Sequence, residues 1–152
     1  MNVPYRPEPS TPGAAHPDRT SVLRPRIHIR LLHKNRFIDL LALVDSGADD
    51  CIFPLEVATE LGLPLKKENT NQYAWIGSGH ISAAFTHVQF AIPGEPAFQL
   101  YAGFSDAPSV VPILGQAGFF DRVDVTFKKQ KGLIELKFTK LAKISPRTAS
   151  TG

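Results

Sequence analysis

The residues with chemistry to offer are Asp45, Ser46 and Gly47. They follow a continuous apolar run, Leu40-Leu41-Ala42-Leu43-Val44, and lead into Ala48-Asp49-Asp50. An unbroken apolar run of this length reads as a strand buried on both faces. A carboxylate placed where such a strand breaks is poorly solvated and costly, so Asp45 is there for capping or for chemistry. Gly47 lets another backbone or a ligand approach closely, and the short hydroxyl of Ser46 can hydrogen-bond a neighbouring chain. The plain alternative is an Asp-Gly-type turn between two strands.

The elements that would position this turn are mostly strands. Arg26 to Leu32 alternates, with Ile27, Ile29 and Leu31 on one face and His28 and Arg30 on the other, as a half-buried strand does. His33-Lys34-Asn35-Arg36 reads as a turn, and Phe37 to Val44 as the return strand that delivers Asp45. Ile52-Phe53 is a short strand after the polar turn. Pro54 suits the first position of a helix, Leu55, Ala58 and Leu61 share one helical face, and Gly62 ends it. Gln72 to Ile76 and His80 to Phe85 flank Gly77-Ser78-Gly79 as a hairpin with a mobile tip. His87 to Ile92 and Ala97 to Phe104 continue as body strands. Val110 to Gly115 is a second apolar run, and Val123 to Phe127 with Ile134 to Phe138 forms a closing hairpin whose tip is Lys128-Lys129-Gln130-Lys131.

Composition bounds the function. The chain has 152 residues, 43 % hydrophobic and 20 % charged, with a net charge of +3. That is one domain with a real core. The charge is too small, and too scattered, to argue for nucleic acid. Cys51 stands alone, so there is no internal disulfide and no zinc spacing. His28 and His33 lack a carboxylate or thiol at ligand spacing. No metal and no cofactor is expected. No apolar run reaches transmembrane length, and the N-terminus lacks the apolar core of a signal peptide; a cytoplasmic or unassigned location is the expectation, with no membrane partner. Residues 1–24, with prolines at 4, 7, 9, 12 and 17, read as a disordered Pro-rich arm, residues 25–140 as the domain, and residues 141–152 as a flexible tail.

Asp45-Ser46-Gly47-Ala48-Asp49-Asp50 after an apolar strand resembles the active-site loop of retroviral-type aspartic peptidases, the retropepsins. The order of catalytic turn, spacer and Gly-rich hairpin matches as well. Ile113-Leu114-Gly115, followed by a polar residue and by Phe119-Phe120, resembles the second segment of that family, where the glycine lets its strand cross beneath the catalytic loop and a short helix ending in aromatics follows. The resemblance implies an all-β, single-lobe, closed barrel with one or two short helices and a flap hairpin. It implies an aspartic endopeptidase that acts on peptide or protein substrates. Asp45 would be catalytic, with Ser46 and Gly47 supporting the loop. Gly47, Ala48, Asp49 and Asp50 would bind the substrate main chain, and Ile76, Gly77, Ser78 and Gly79 would cover it. One departure is Gln116, where retroviral enzymes carry an Arg that pairs with the residue matching Asp49. Gln can hydrogen-bond Asp49 but cannot neutralise it.

The chemistry of that family needs two carboxylates sharing one proton. This chain offers one Asp-Ser-Gly. Ser105-Asp106-Ala107 lacks the glycine and the buried strand before it, and Asp124 falls on the solvent side of an alternating strand. Two copies of the chain would therefore supply the pair, as a two-fold homodimer. The competing readings are a non-catalytic peptide-binding module and a structural unit of a larger polyprotein.

Overall fold

The computed structural model describes residues 1–75 and 79–139. Its strands run in chain order as β1 (Asn2–Pro4), β2 (Arg6–Pro9), β3 (Ser21–Arg24), β4 (Arg26–His33), β5 (Arg36–Val44) and β6 (Ile52–Pro54). Helix α1 (Leu55–Leu61) follows. Then come β7 (Thr70–Trp75), β8 (Gly79–Ala91), β9 (Phe98–Ser105), β10 (Ile113–Leu114), β11 (Val123–Lys128) and β12 (Leu133–Phe138). The protein is all-β in class.

A seven-stranded sheet has the order β4-β5-β10-β6-β9-β8-β7, and β4 also pairs with β8, so the pairings return on themselves and leave β7 as an outer strand. Two of the pairings are parallel, β5 with β10 and β6 with β9. The alternation seen in the sequence decides which way side chains point: Ile27, Ile29 and Leu31 are buried along β4 while His28 is exposed. Inside, Phe53 packs on Phe104 at 5.8 Å between ring centres, and Phe90 packs on Phe98 at 4.9 Å and on Phe119 at 5.9 Å. Tilted and edge-on pairs at these separations are the favoured aromatic arrangements.

Helix α1 buries Val57, Ala58 and Leu61, and Gly62 closes it in the left-handed conformation, donating its N–H to the Thr59 carbonyl at 3.1 Å. Pro54 lies just outside as the N-cap residue, one residue short of the expected start. The turn between β4 and β5 grips the end of this helix. His33 Nδ1–H donates to the Leu61 carbonyl at 3.0 Å, and Arg36 Nη1 donates to the Glu60 carbonyl at 3.0 Å. Both satisfy carbonyls that a helix end leaves without partners.

Residues 1–24 are not the structureless arm that their prolines suggested. β1 pairs antiparallel with β12, and β2 with β3. The prolines are tolerated because of register. Ser10 donates to the Thr20 carbonyl at 2.9 Å, which makes Arg6, Glu8 and Ser10 the hydrogen-bonded positions of β2 and leaves Pro7 and Pro9 where no N–H is called for. The same holds in β1, where Met1 and Leu136 exchange bonds at 2.8 Å and Tyr5 donates to Gly132 at 2.8 Å, so that Pro4 falls between bonded positions. A Glu8–Arg26 ion pair ties the hairpin of β2 and β3 to the body.

Two further expectations change. The apolar run Val110 to Gly115 contributes only Ile113–Leu114 as strand. Residues 116–121 form turns rather than a short helix. Gly118 takes a φ of 93°, and its N–H is bound by Asp121 Oδ2 at 2.8 Å; a positive φ cannot continue a right-handed helix. The hairpin tip residues Ile76, Gly77 and Ser78, and the tail 141–152, lie outside the described residues. Among the described residues no helix is long and apolar enough to cross a membrane.

Candidate active site

Asp45 stands at the end of a strand held on both edges. On one side β5 runs parallel to β10, with Leu43 beside Ile113 and Val44 beside Leu114. Leu43 donates to the Pro112 carbonyl at 2.8 Å, and the ladder continues to the carboxylate residue itself, whose N–H is bound by Leu114 at 3.0 Å. On the other side Val44 donates to the Pro25 carbonyl at 2.9 Å. Ala42 and Val44 are buried, whereas Leu41 and Leu43 are half-buried, so one face of this strand is sealed and the other only partly covered.

The chain then turns on its own carboxylate. Gly47 N–H donates to Asp45 Oδ1 at 2.9 Å, and Ala48 N–H donates to the Asp45 carbonyl at 3.2 Å. This is an Asx-type turn. Asp45 is half-buried while Ser46 and Gly47 are exposed, which puts the carboxylate at the mouth of the core, within reach of an incoming molecule. The Ser46 hydroxyl makes no hydrogen bond to a described residue.

A second segment crosses under the turn. Gln116 N–H donates to the Ala48 carbonyl and Ala117 N–H to the Asp49 carbonyl, both at 2.8 Å, and Asp50 and Ala117 pair as a parallel bridge. The approach admits only glycine at residue 115. A Cβ there would stand 2.3 Å from the Asp50 carbonyl oxygen and 2.7 Å from that of Ala48. The crossing beneath the loop that the resemblance implied is thus present.

Cys51 is the anchor that sequence reasoning passed over. Its buried sulfur accepts the Gly115 N–H at 3.3 Å, and its thiol donates to the Ala117 carbonyl at 3.5 Å. Burial pushes this thiol up to about 11 from 9.0, with a smaller downward pull from the backbone groups it bonds. It is a packed, inert thiol rather than a nucleophile. Its place directly after the loop carboxylates was the available signal.

Gln116 does not bind Asp49. Its side-chain amide donates to the Ser46 carbonyl at 2.7 Å. Asp49 is exposed and takes part in none of the ion pairs among the described residues, which are Arg26–Glu8, Arg30–Asp39 and Lys128–Glu135. Ala48 and Asp50 are half-buried beside the turn. Of the hairpin residues assigned to the site, Gly79 opens β8 in register with Trp75 of β7. The other carboxylates weighed from the sequence lie apart from the crossing: Asp124 is exposed on β11, and Asp106 is exposed in the loop after β9.

This architecture is the single-lobe fold of the retropepsin-like aspartic proteases. In particular, the chain is similar to a retropepsin-like aspartic protease from Rickettsia conorii, with a TM-score of 0.55 and 18 % sequence identity over 90 % of this chain and 98 % of that one. It is also similar to EIAV protease complexed with the inhibitor HBY-793, with a TM-score of 0.48 and 22 % identity over 61 % of this chain and 82 % of that one. No family model matches the sequence, and no curated protein does either.

Proposed function

We propose that the protein is an aspartic endopeptidase that works as a two-fold homodimer. The observation that carries the reading is Asp45 at the mouth of the core. Its strand is clamped on both edges, and its carboxylate is oriented by the Gly47 N–H. Each chain brings one such carboxylate, so the dimer supplies the pair. Two like charges about 3 Å apart do not both ionise, and the pair shares one proton. The ionised member takes a proton from a water as that water attacks the peptide carbonyl carbon. The protonated member donates to the carbonyl oxygen. Collapse of the resulting gem-diol returns a proton to the pair, moves one to the amide nitrogen and breaks the C–N bond. Asp49, Asp50, Ala48 and Gly47 line the cleft, and the hairpin of β7 and β8 is the flap that covers it.

The test is cleavage of a peptide library by wild type and by Asp45→Asn, with sedimentation on both. Expected are cleavage by the wild type, a bell-shaped dependence on pH on the acid side of neutrality, a fall in specific activity on dilution of the dimer, and complete loss in Asp45→Asn with fold and dimer retained. Turnover that survives Asp45→Asn, or a fully active monomer, overturns the reading.

A further inference from the structure

We infer that Gln116 is a positioning residue for Asp45, acting through the single peptide unit that joins Ser46 to Gly47. This rests on the peptidase reading for its consequence in turnover but not for its geometry. The Ser46 carbonyl accepts the Gln116 amide at 2.7 Å, and the N–H of the same peptide unit donates to Asp45 Oδ1 at 2.9 Å. In a trans peptide the carbonyl and the N–H point opposite ways. One planar group is therefore pinned at both ends, with Gln116 at one end and the carboxylate at the other. A carbonyl that accepts a hydrogen bond makes its own N–H a better donor, because chained hydrogen bonds polarise one another. Gln116 thus fixes the plane of the turn and strengthens the one N–H that orients Asp45.

The amide suits this place better than a cation does. Gln116 is itself held by its backbone N–H to Ala48 at 2.8 Å, so its stem is short and fixed at the crossing. It adds no charge beside the carboxylate. Among the described residues, the charged groups on the segments bonded to this strand and turn are Asp49 and Asp50 of the same loop, and Arg24 and Arg26 on either side of Pro25, Arg26 being paired with Glu8. Asp121, bound to the Gly118 N–H, follows on the crossing segment, and in the proposed dimer the second Asp45 joins them. A neutral substitution at residue 116 leaves all of these charges in place.

Gln116→Met keeps the length and removes the donor; Gln116→Glu keeps a donor only while its carboxyl is protonated. The first readout is the Gly47 amide proton by NMR, which needs no turnover. Expected is an upfield shift and faster exchange in Gln116→Met. In Gln116→Glu the resonance should lie near the wild-type position at about pH 3 and near the Met variant's at about pH 7. The second readout is kinetic: kcat falls roughly tenfold in Gln116→Met with KM little changed, as loss of one hydrogen bond near 1.4 kcal/mol requires. A Gly47 amide that does not move in Gln116→Met overturns the inference whether or not the protein cleaves peptides. A rise in KM at unchanged kcat overturns it too, since that is the mark of a substrate contact. A wild type that cleaves nothing while the Gly47 amide responds as described overturns the peptidase reading alone.

Discussion

The crossing at the candidate site and the sheet of β1, β12 and β11 both join distant parts of the chain, and they do so with different forces. At the crossing, the contacts between residues 45–51 and 114–117 are backbone amides, one side-chain amide and one thiol. In the terminal sheet, Val123, Ile134 and Leu136 are fully buried, and Val3 and Tyr5 pack against the core they belong to. Hydrogen bonds are directional and modest in net free energy; apolar burial is strong and without direction. The first arrangement sets the geometry of the turn, and the second holds β1 against β12 and β11. Both regions rest on one hydrophobic core, but the crossing draws its shape from directed bonds and the terminal sheet its hold from burial.

Three experiments press on that division. Gly115→Ala strikes the crossing where no space exists. The new methyl must push backbone carbonyls of the loop itself, so a cost of order 4 kcal/mol is expected, with loss of cleavage, read by thermal melting and by peptide turnover. A stable and active variant would show that the two segments separate freely. Leu136→Ala strikes the terminal sheet. It should cost about 3 kcal/mol in urea denaturation while leaving the Gly47 amide resonance where it is; a shifted resonance would mean that the two regions are coupled.

The third and smallest effect concerns Cys51, whose buried thiol bonds the crossing segment. Its thiol ionises near 9.0 when exposed and about 11 when folded. A folded value raised above the unfolded one gives stability that is intact below 9.0 and is lost as pH climbs toward the folded value, because the unfolded chain gives up its proton first. Relative to Cys51→Val, the wild type should lose of order 2 kcal/mol across that window, measured by denaturation at successive pH values. Parallel curves for the two proteins would place the thiol in a wetter setting than its burial implies.

Legibility in the sequence followed the same division. Elements with a strong period, such as Ile27-Ile29-Leu31 or the helical face of Leu55, Ala58 and Leu61, could be drawn before any coordinates. The loop was legible because its residues are unusual in combination: an Asp after five apolar residues, then Ser-Gly. What escaped were effects of register and of contact. Pro4, Pro7 and Pro9 read as breakers, yet each occupies a position from which no N–H is required, and register is a property of two strands together. The short helix that the resemblance implied before Phe119-Phe120 failed at Gly118, whose positive φ a single sequence does not announce. Gln116 was matched to Asp49 by analogy, and its actual partner is a backbone carbonyl, which carries no residue name for a pattern to find.

The crossing also has a meaning in time. The contacts that shape the turn around Asp45 come from residues 64 to 70 positions further along the chain. Closing a loop of that size costs entropy before any contact returns it, and topologies built on such closures assemble slowly. Chains are made from the N-terminus at some 5–20 residues per second. The loop 45–50 therefore emerges several seconds before Gly115 and Gln116 exist to lie beneath it. In that interval the nascent chain carries the carboxylate without the bonds that hold the two sides of the crossing together. The shape of the turn around Asp45 therefore waits on a segment made much later in the chain.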